Sequence, residues 1–103
     1  MKYLRKFEDL KEEPVVGDYV IIESNDIINL NLKHFIENNI GQITKFFKFD
    51  ETVLIKYTNV PKDLRIWFSS NAQIITFKLE YIKYFSNNKE ELEVILTANK
   101  YNL

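Results

Sequence analysis

Apolar residues recur along this chain at two different spacings, and the changes between them mark out its elements. In residues 2 to 12, Leu4, Phe7 and Leu10 fall three apart among charged residues, the spacing of one helix face. A short amphipathic helix is expected there, ended by Pro14, which disfavours helical backbone at Glu13. An isolated helix of that length is marginal in water, so this segment either docks or remains an acidic arm. The pattern then turns β-branched and aromatic in "VVGDYVII", predicting a first strand from Val16 through Asp18 to Ile22, opened by Gly17. In "ESNDIINLNLKHFIENN" the helical period returns at Leu32, Phe35 and Ile36, which predicts a short helix over residues 31 to 38 with Asn29 or Asn31 as its cap.

Alternation resumes in "NIGQITKFFKF", where a regular strand would set Ile43, Lys45 and Phe47 on one face and Gln42, Thr44 and Phe46 on the other. Asp50 and Glu51 turn this strand into the next, "TVLIKYTNV", the clearest hairpin in the chain. "PKDLRIWFSSN" reads as a loop opened by Pro61, and "QIITFKLEYIKYF" as one long bent strand or two short ones, with Ile75, Phe77 and Leu79 facing inward. The final segment, "NNKEELEVILTANK", predicts a helix: Asn88 caps it, Glu91 stands three residues on, as in a capping box, and Leu92, Ile95 and Leu96 form its buried stripe.

Taken together, these elements predict a mainly β domain with flanking helices. Five short strands inside residues 15 to 86 suit a small barrel that protects its own edges. A chain of 103 residues is long enough for one core and too short for two. It divides into an N-terminal helix or arm (1 to 13), a β unit (14 to 86) and a C-terminal helix packed on it (87 to 103). The only two glycines, Gly17 and Gly41, each stand at the edge of an apolar run. Glycine is needed there either for positive φ or because another part of the chain comes too close for a β-carbon.

"VGDYVII" followed by "NIGQITKFF" resembles the first hairpin of KOW-type and related SH3-like domains, in which a Gly-Asp-x-Val strand leads to a Gly-x-Val/Ile strand. The matching positions are Gly17, Asp18, Val20, Gly41 and Ile43. The resemblance implies a small five-stranded SH3-like barrel, and the family's contacts with RNA make nucleic acid a conceivable partner. The chain departs from KOW in its long first connection, residues 23 to 40 with an inserted helix, and in lacking the basic loop that touches RNA. The layout, from "KYLRKFED" to "FSNNKEELEVILTANKY", is also similar to uncharacterised small proteins of AT-rich bacteriophages. Thirteen Ile, twelve Lys and eleven Asn against two Ala and two Gly agree with an AT-rich coding sequence.

Charge argues against a dedicated nucleic-acid binder, since 14 basic and 15 acidic residues leave a net charge of −1. The acids concentrate at the two ends, in Glu8, Asp9, Glu12 and Glu13 and in Glu90, Glu91 and Glu93. The absence of cysteine removes disulfides, thiol nucleophiles and zinc–thiolate sites. With neither a signal-peptide pattern nor a membrane-length apolar run, the expectation is a cytoplasmic protein, in the host cytoplasm if phage-encoded.

Catalytic readings fail on residue inventory. His34 is the only histidine, so no His-based triad or multi-histidine metal site forms within one chain. Asp50–Glu51 lacks the further oxygen ligands a hard cation needs, and Glu80 and Lys83 fall on opposite faces of a strand. Two isolated glycines make no phosphate-binding loop. The expectation is a non-catalytic protein without cofactor or metal. The remaining signal is aromatic residues interleaved with lysine, which suits a protein-binding patch or a stacking surface for single-stranded nucleic acid. For a protein partner, or self-association, the candidate residues are Trp67, Phe68, Arg65 and Tyr84, with Trp67 as the exposed loop anchor. For nucleic acid, the less favoured partner, they are Lys45, Lys48, Lys56 and Tyr57.

Overall fold

A computed structural model describes residues 5, 6, 13 to 69 and 71 to 101. Its strands are β1 (Arg5–Lys6), β2 (Tyr19–Ile22), β3 (Gly41–Phe47), β4 (Thr52–Lys56), β5 (Ile74–Lys78) and β6 (Ile82–Ser86). Helix α1 (Leu30–Glu37) lies between β2 and β3, and α2 (Lys89–Tyr101) follows β6. All pairings are antiparallel, in the order β1-β6-β2-β3-β4-β5. The protein is therefore mainly β, as its alternating segments predict. Among the described residues the edge strands β1 and β5 do not pair with each other, so the sheet they bound is open rather than a closed barrel. Of the helix expected over residues 2 to 12, only Arg5 and Lys6 are described. They are extended instead, aligned with Phe85 and Tyr84 of β6; the rest of that segment lies outside the described residues.

The two glycines serve for different reasons. Residues 15 to 18 form a tight turn before β2: the Asp18 N–H donates to the Val15 carbonyl at 3.0 Å, and the Asp18 carboxylate accepts the Val15 N–H at 3.0 Å. Gly17 holds the third position of that turn at φ +98° with open space around it, so backbone conformation alone selects glycine. Strand β2 accordingly begins at Tyr19 rather than Val16. At Gly41, by contrast, a β-carbon would stand 2.3 Å from Ile55 Cγ2 and 2.9 Å from Tyr57 Cζ. There glycine is selected by close approach.

One side of the sheet carries the main core, in which Val20, Ile22, Ile43, Val53, Ile55, Phe77, Ile82 and Phe85 meet Leu32, Phe35 and Ile36 of α1. Asn29 caps α1 by accepting the Leu32 N–H at 3.0 Å. Strand β3 does not keep the regular alternation. Register shifts between Ile43, opposite Ile55, and Lys45, opposite Leu54, so Thr44 is an extra residue and the faces exchange beyond it. Phe46 therefore packs against the core with Ile43, while Lys45 and Phe47 share the opposite face. After β5, the 3₁₀ turn Leu79–Tyr81 redirects the chain so that β6 returns beside β2. Ile75, Phe77 and Leu79 face inward as expected.

Helix α2 packs against β2 and β6, where Leu92 is fully buried outside the main cluster. Its cap is a relay rather than a simple capping box. Asn88 Oδ1 accepts the Glu90 N–H at 3.0 Å, and the Asn88 N–H donates to Ser86 Oγ at 2.9 Å. The Ser86 hydroxyl then donates to the buried Glu91 carboxylate. Ser86 thus stands between the two groups that a capping box would join directly.

Candidate functional site

The segment expected to be a loop after Pro61 is a 3₁₀ turn, Lys62–Trp67. Pro61 cannot donate a backbone hydrogen bond but accepts one, its carbonyl taking the Leu64 N–H at 3.0 Å. Arg65 Nε donates to the Val60 carbonyl at 3.1 Å and ties the turn to the end of the preceding segment. Leu64 and Phe68 anchor the turn in the core. Between these anchors Ile66 and Trp67 point outward, 84% and 50% exposed.

Three rings beneath the turn hold it in place. Phe35 of α1, Tyr57 after β4 and Phe68 pack with centroids 5.7 Å (Phe35–Tyr57), 6.2 Å (Phe35–Phe68) and 6.1 Å (Tyr57–Phe68) apart. The last two contacts are edge-to-face, a favourable quadrupole arrangement. The result is a rigid base from which two adjacent apolar side chains project.

This geometry sorts the sequence candidates. Trp67 is exposed as expected, but by projecting from an ordered turn. Phe68, expected as a contact residue, is 7% exposed and belongs to the core, because the chain becomes extended immediately after the turn and directs the ring inward. Arg65 is at the surface with its Nε occupied. Tyr84 lies on β6, aligned with Lys6 and Ile21 and separated in sheet order from β4 by β2 and β3. It does not join the other three.

Among the nucleic-acid candidates, Lys45, Lys48 and Lys56 are exposed, but Tyr57 is 1% exposed and cannot stack on a base. The end of its ring fills the space left by the missing Gly41 β-carbon. Sequence reasoning passed over Ile66, as well as Ile28 and Leu30 beside the α1 cap, all strongly exposed. A signal for Ile66 was available in Pro61 followed by Asp63, a helical start that makes the following residues a turn with inner and outer sides.

Burial pushes the Tyr57 hydroxyl far above its ordinary pKa, and this hydroxyl has no hydrogen-bond partner among the described residues. An unpartnered buried hydroxyl costs about 1–3 kcal/mol, so Tyr57→Phe is expected to raise stability by about 1 kcal/mol in urea denaturation. The unfolded chain releases the Tyr57 proton near pH 10.0 while the folded protein retains it, so stability falls as pH rises above that value. The Phe variant is expected to fall less steeply, and a loss of stability on substitution would show that the hydroxyl is satisfied.

At the surface, hydrogen bonding to Asp26 raises the Tyr81 pKa, and hydrogen bonding to Glu23, 2.9 Å away, raises that of Lys83. Among the described residues no group of three or more acids or histidines is placed to hold a metal ion, and no helix is long and apolar enough to cross a membrane. No protein-family model, curated protein or solved structure matches this chain, so its function is read from the side chains themselves.

Proposed function

We propose that this protein is a non-catalytic interaction module that binds another protein through Ile66 and Trp67. The observation that carries this reading is two adjacent large apolar residues exposed on a turn whose flanks, Leu64 and Phe68, are locked in the core. Tryptophan is prominent among residues that dominate binding energy, and a rigid base lowers the ordering cost of association. The bacteriophage likeness makes a host or phage protein the natural partner, or a second copy of the chain, with the cytoplasm as the compartment.

The SH3-like architecture is part of the same proposal. It is supported by Gly17 and Gly41 in the positions of the resemblance and by the return of β6 beside β2 after a 3₁₀ turn, the path a sheet takes as it curls back on itself.

The test is capture from nuclease-treated host lysate with the wild-type protein and an Ile66→Ser/Trp67→Ala variant. A protein retained by the wild type and reduced at least about tenfold by the variant is expected, the loss of one interface anchor being worth about 2 kcal/mol or more. Equal retention by both proteins would refute the reading.

A further inference from the structure

On the side of β3, β4 and β5 that faces away from the core, the charged side chains carried by the strands themselves are all lysines. The Thr44 bulge directs Lys45 and Phe47 to this side, with Leu54 and Lys56 beside them on β4 and Ile74 and Lys78 on β5. The intervening positions, Gln42, Thr52 and Thr76, are neutral, so no carboxylate lies on these strands. Lys45 Nζ lies 5.2 Å from the Phe47 ring centroid, a cation over an aromatic face. Among the described residues none of the three lysines forms an ion pair; the pairs are Lys33–Glu37 and Lys83–Glu23. Lys78 stands at the rim, where Asp50, Glu51 and Glu80 line the same cleft. The cationic centre is therefore Lys45 and Lys56. Lys45 is opposite Leu54, which makes Lys56 its diagonal neighbour, about 7–8 Å away between backbones.

We infer that this face binds single-stranded nucleic acid, with Lys45 and Lys56 on successive phosphates and a base against Phe47. Charge complementarity selects an anionic occupant. The half-buried Phe47 and Leu54 add an apolar floor that a base can cover, which a bare polyanion would not use. Because α2 packs on β2 and β6, and the turn bearing Trp67 is anchored in the core on the other side of the sheet, this surface is separate from the proposed protein-binding site. A net charge of −1 concealed it, since the acids that balance these lysines lie elsewhere in the chain.

The test is fluorescence anisotropy with labelled oligothymidylate and oligouridylate, using the intact protein and Lys45→Glu/Lys56→Glu. A Lys62→Glu/Lys89→Glu variant makes the same charge change off this face, and circular dichroism establishes that both variants are folded. Two phosphate contacts predict a log–log salt slope of about −1.4, or about a sevenfold loss between roughly 50 and 200 mM salt. Lys45→Glu/Lys56→Glu is expected to lose at least about tenfold in affinity, the control less than about threefold, and Phe47→Ala a salt-independent share. Equal loss in the two charge variants, equally tight binding of heparin, or a dimer that Lys45→Glu/Lys56→Glu abolishes without any oligonucleotide binding would each overturn the inference, the last in favour of a second copy.

Discussion

Gly41→Ala is expected to destabilise the protein by about 2–3 kcal/mol in urea denaturation, the upper part of the range of about 1–3 kcal/mol for forcing extra volume into a packed core. The added methyl would stand 2.3 Å from Ile55 Cγ2 and 2.9 Å from Tyr57 Cζ. Neither neighbour can give way easily: Ile55 is fully buried, and Tyr57 is held between Phe35 and Phe68. Gly17→Ala meets nothing within 4 Å and suffers only from φ +98°, at a cost of about 1–2 kcal/mol. Combining Gly41→Ala with Ile55→Ala is expected to cost less than the sum of the single changes, because the second opens the space the first requires. Equal effects at the two glycines, or strict additivity in the double variant, would show that close approach does not govern Gly41.

Ser86→Ala is expected to cost about 2 kcal/mol, more than Asn88→Ala at about 1 kcal/mol, although Asn88 is the conventional cap. Asn88 loses one acceptor, for the Glu90 N–H. Ser86 serves two partners: it accepts the Asn88 N–H and donates to the carboxylate of Glu91, a residue 8% exposed. Removing the hydroxyl leaves the part-buried Asn88 N–H and the carboxylate of the buried Glu91 each short of a partner. Glu91→Gln keeps an acceptor oxygen for the Ser86 hydroxyl and should cost less than Ser86→Ala. Urea midpoints rank the three variants, with helix loss followed by circular dichroism. If Asn88→Ala proves the most damaging, the relay carries little of the cap's stability.

The elements legible in the sequence were those with a local cause. Asn29 and the spacing of Leu32, Phe35 and Ile36 define α1 within one or two residues, and Asn88 with Glu91 marks the start of α2. Gly17 and Gly41 were recognised as backbone necessities, though only coordinates divide them into positive φ and close approach. What the sequence hid is set by partner strands. The bulge at Thr44 exists because of register against β4, and it moves Phe46 into the core and Lys45 and Phe47 away from it. The sequence reading sets Tyr57 beside Lys56 on one stacking face, yet consecutive strand residues point to opposite faces, and Tyr57 fills the space opened by Gly41, sixteen positions earlier in the chain. Phe68 and Trp67 are both contact candidates by sequence, with Trp67 as the anchor, and it is the end of the 3₁₀ turn that sends Phe68 in and leaves Trp67 out.

Trp67 is the only tryptophan in the chain, so its emission reports directly on the proposed binding surface. The most direct measurement is a fluorescence titration of the intact protein with the partner recovered by capture. A blue shift is expected as the half-exposed indole is desolvated, with affinity nearly constant between roughly 50 and 200 mM salt and at least about a tenfold loss in Ile66→Ser, which keeps the fluorophore. Saturable binding with unchanged Trp67 emission and full affinity in Ile66→Ser would contradict this and place the protein-binding surface elsewhere.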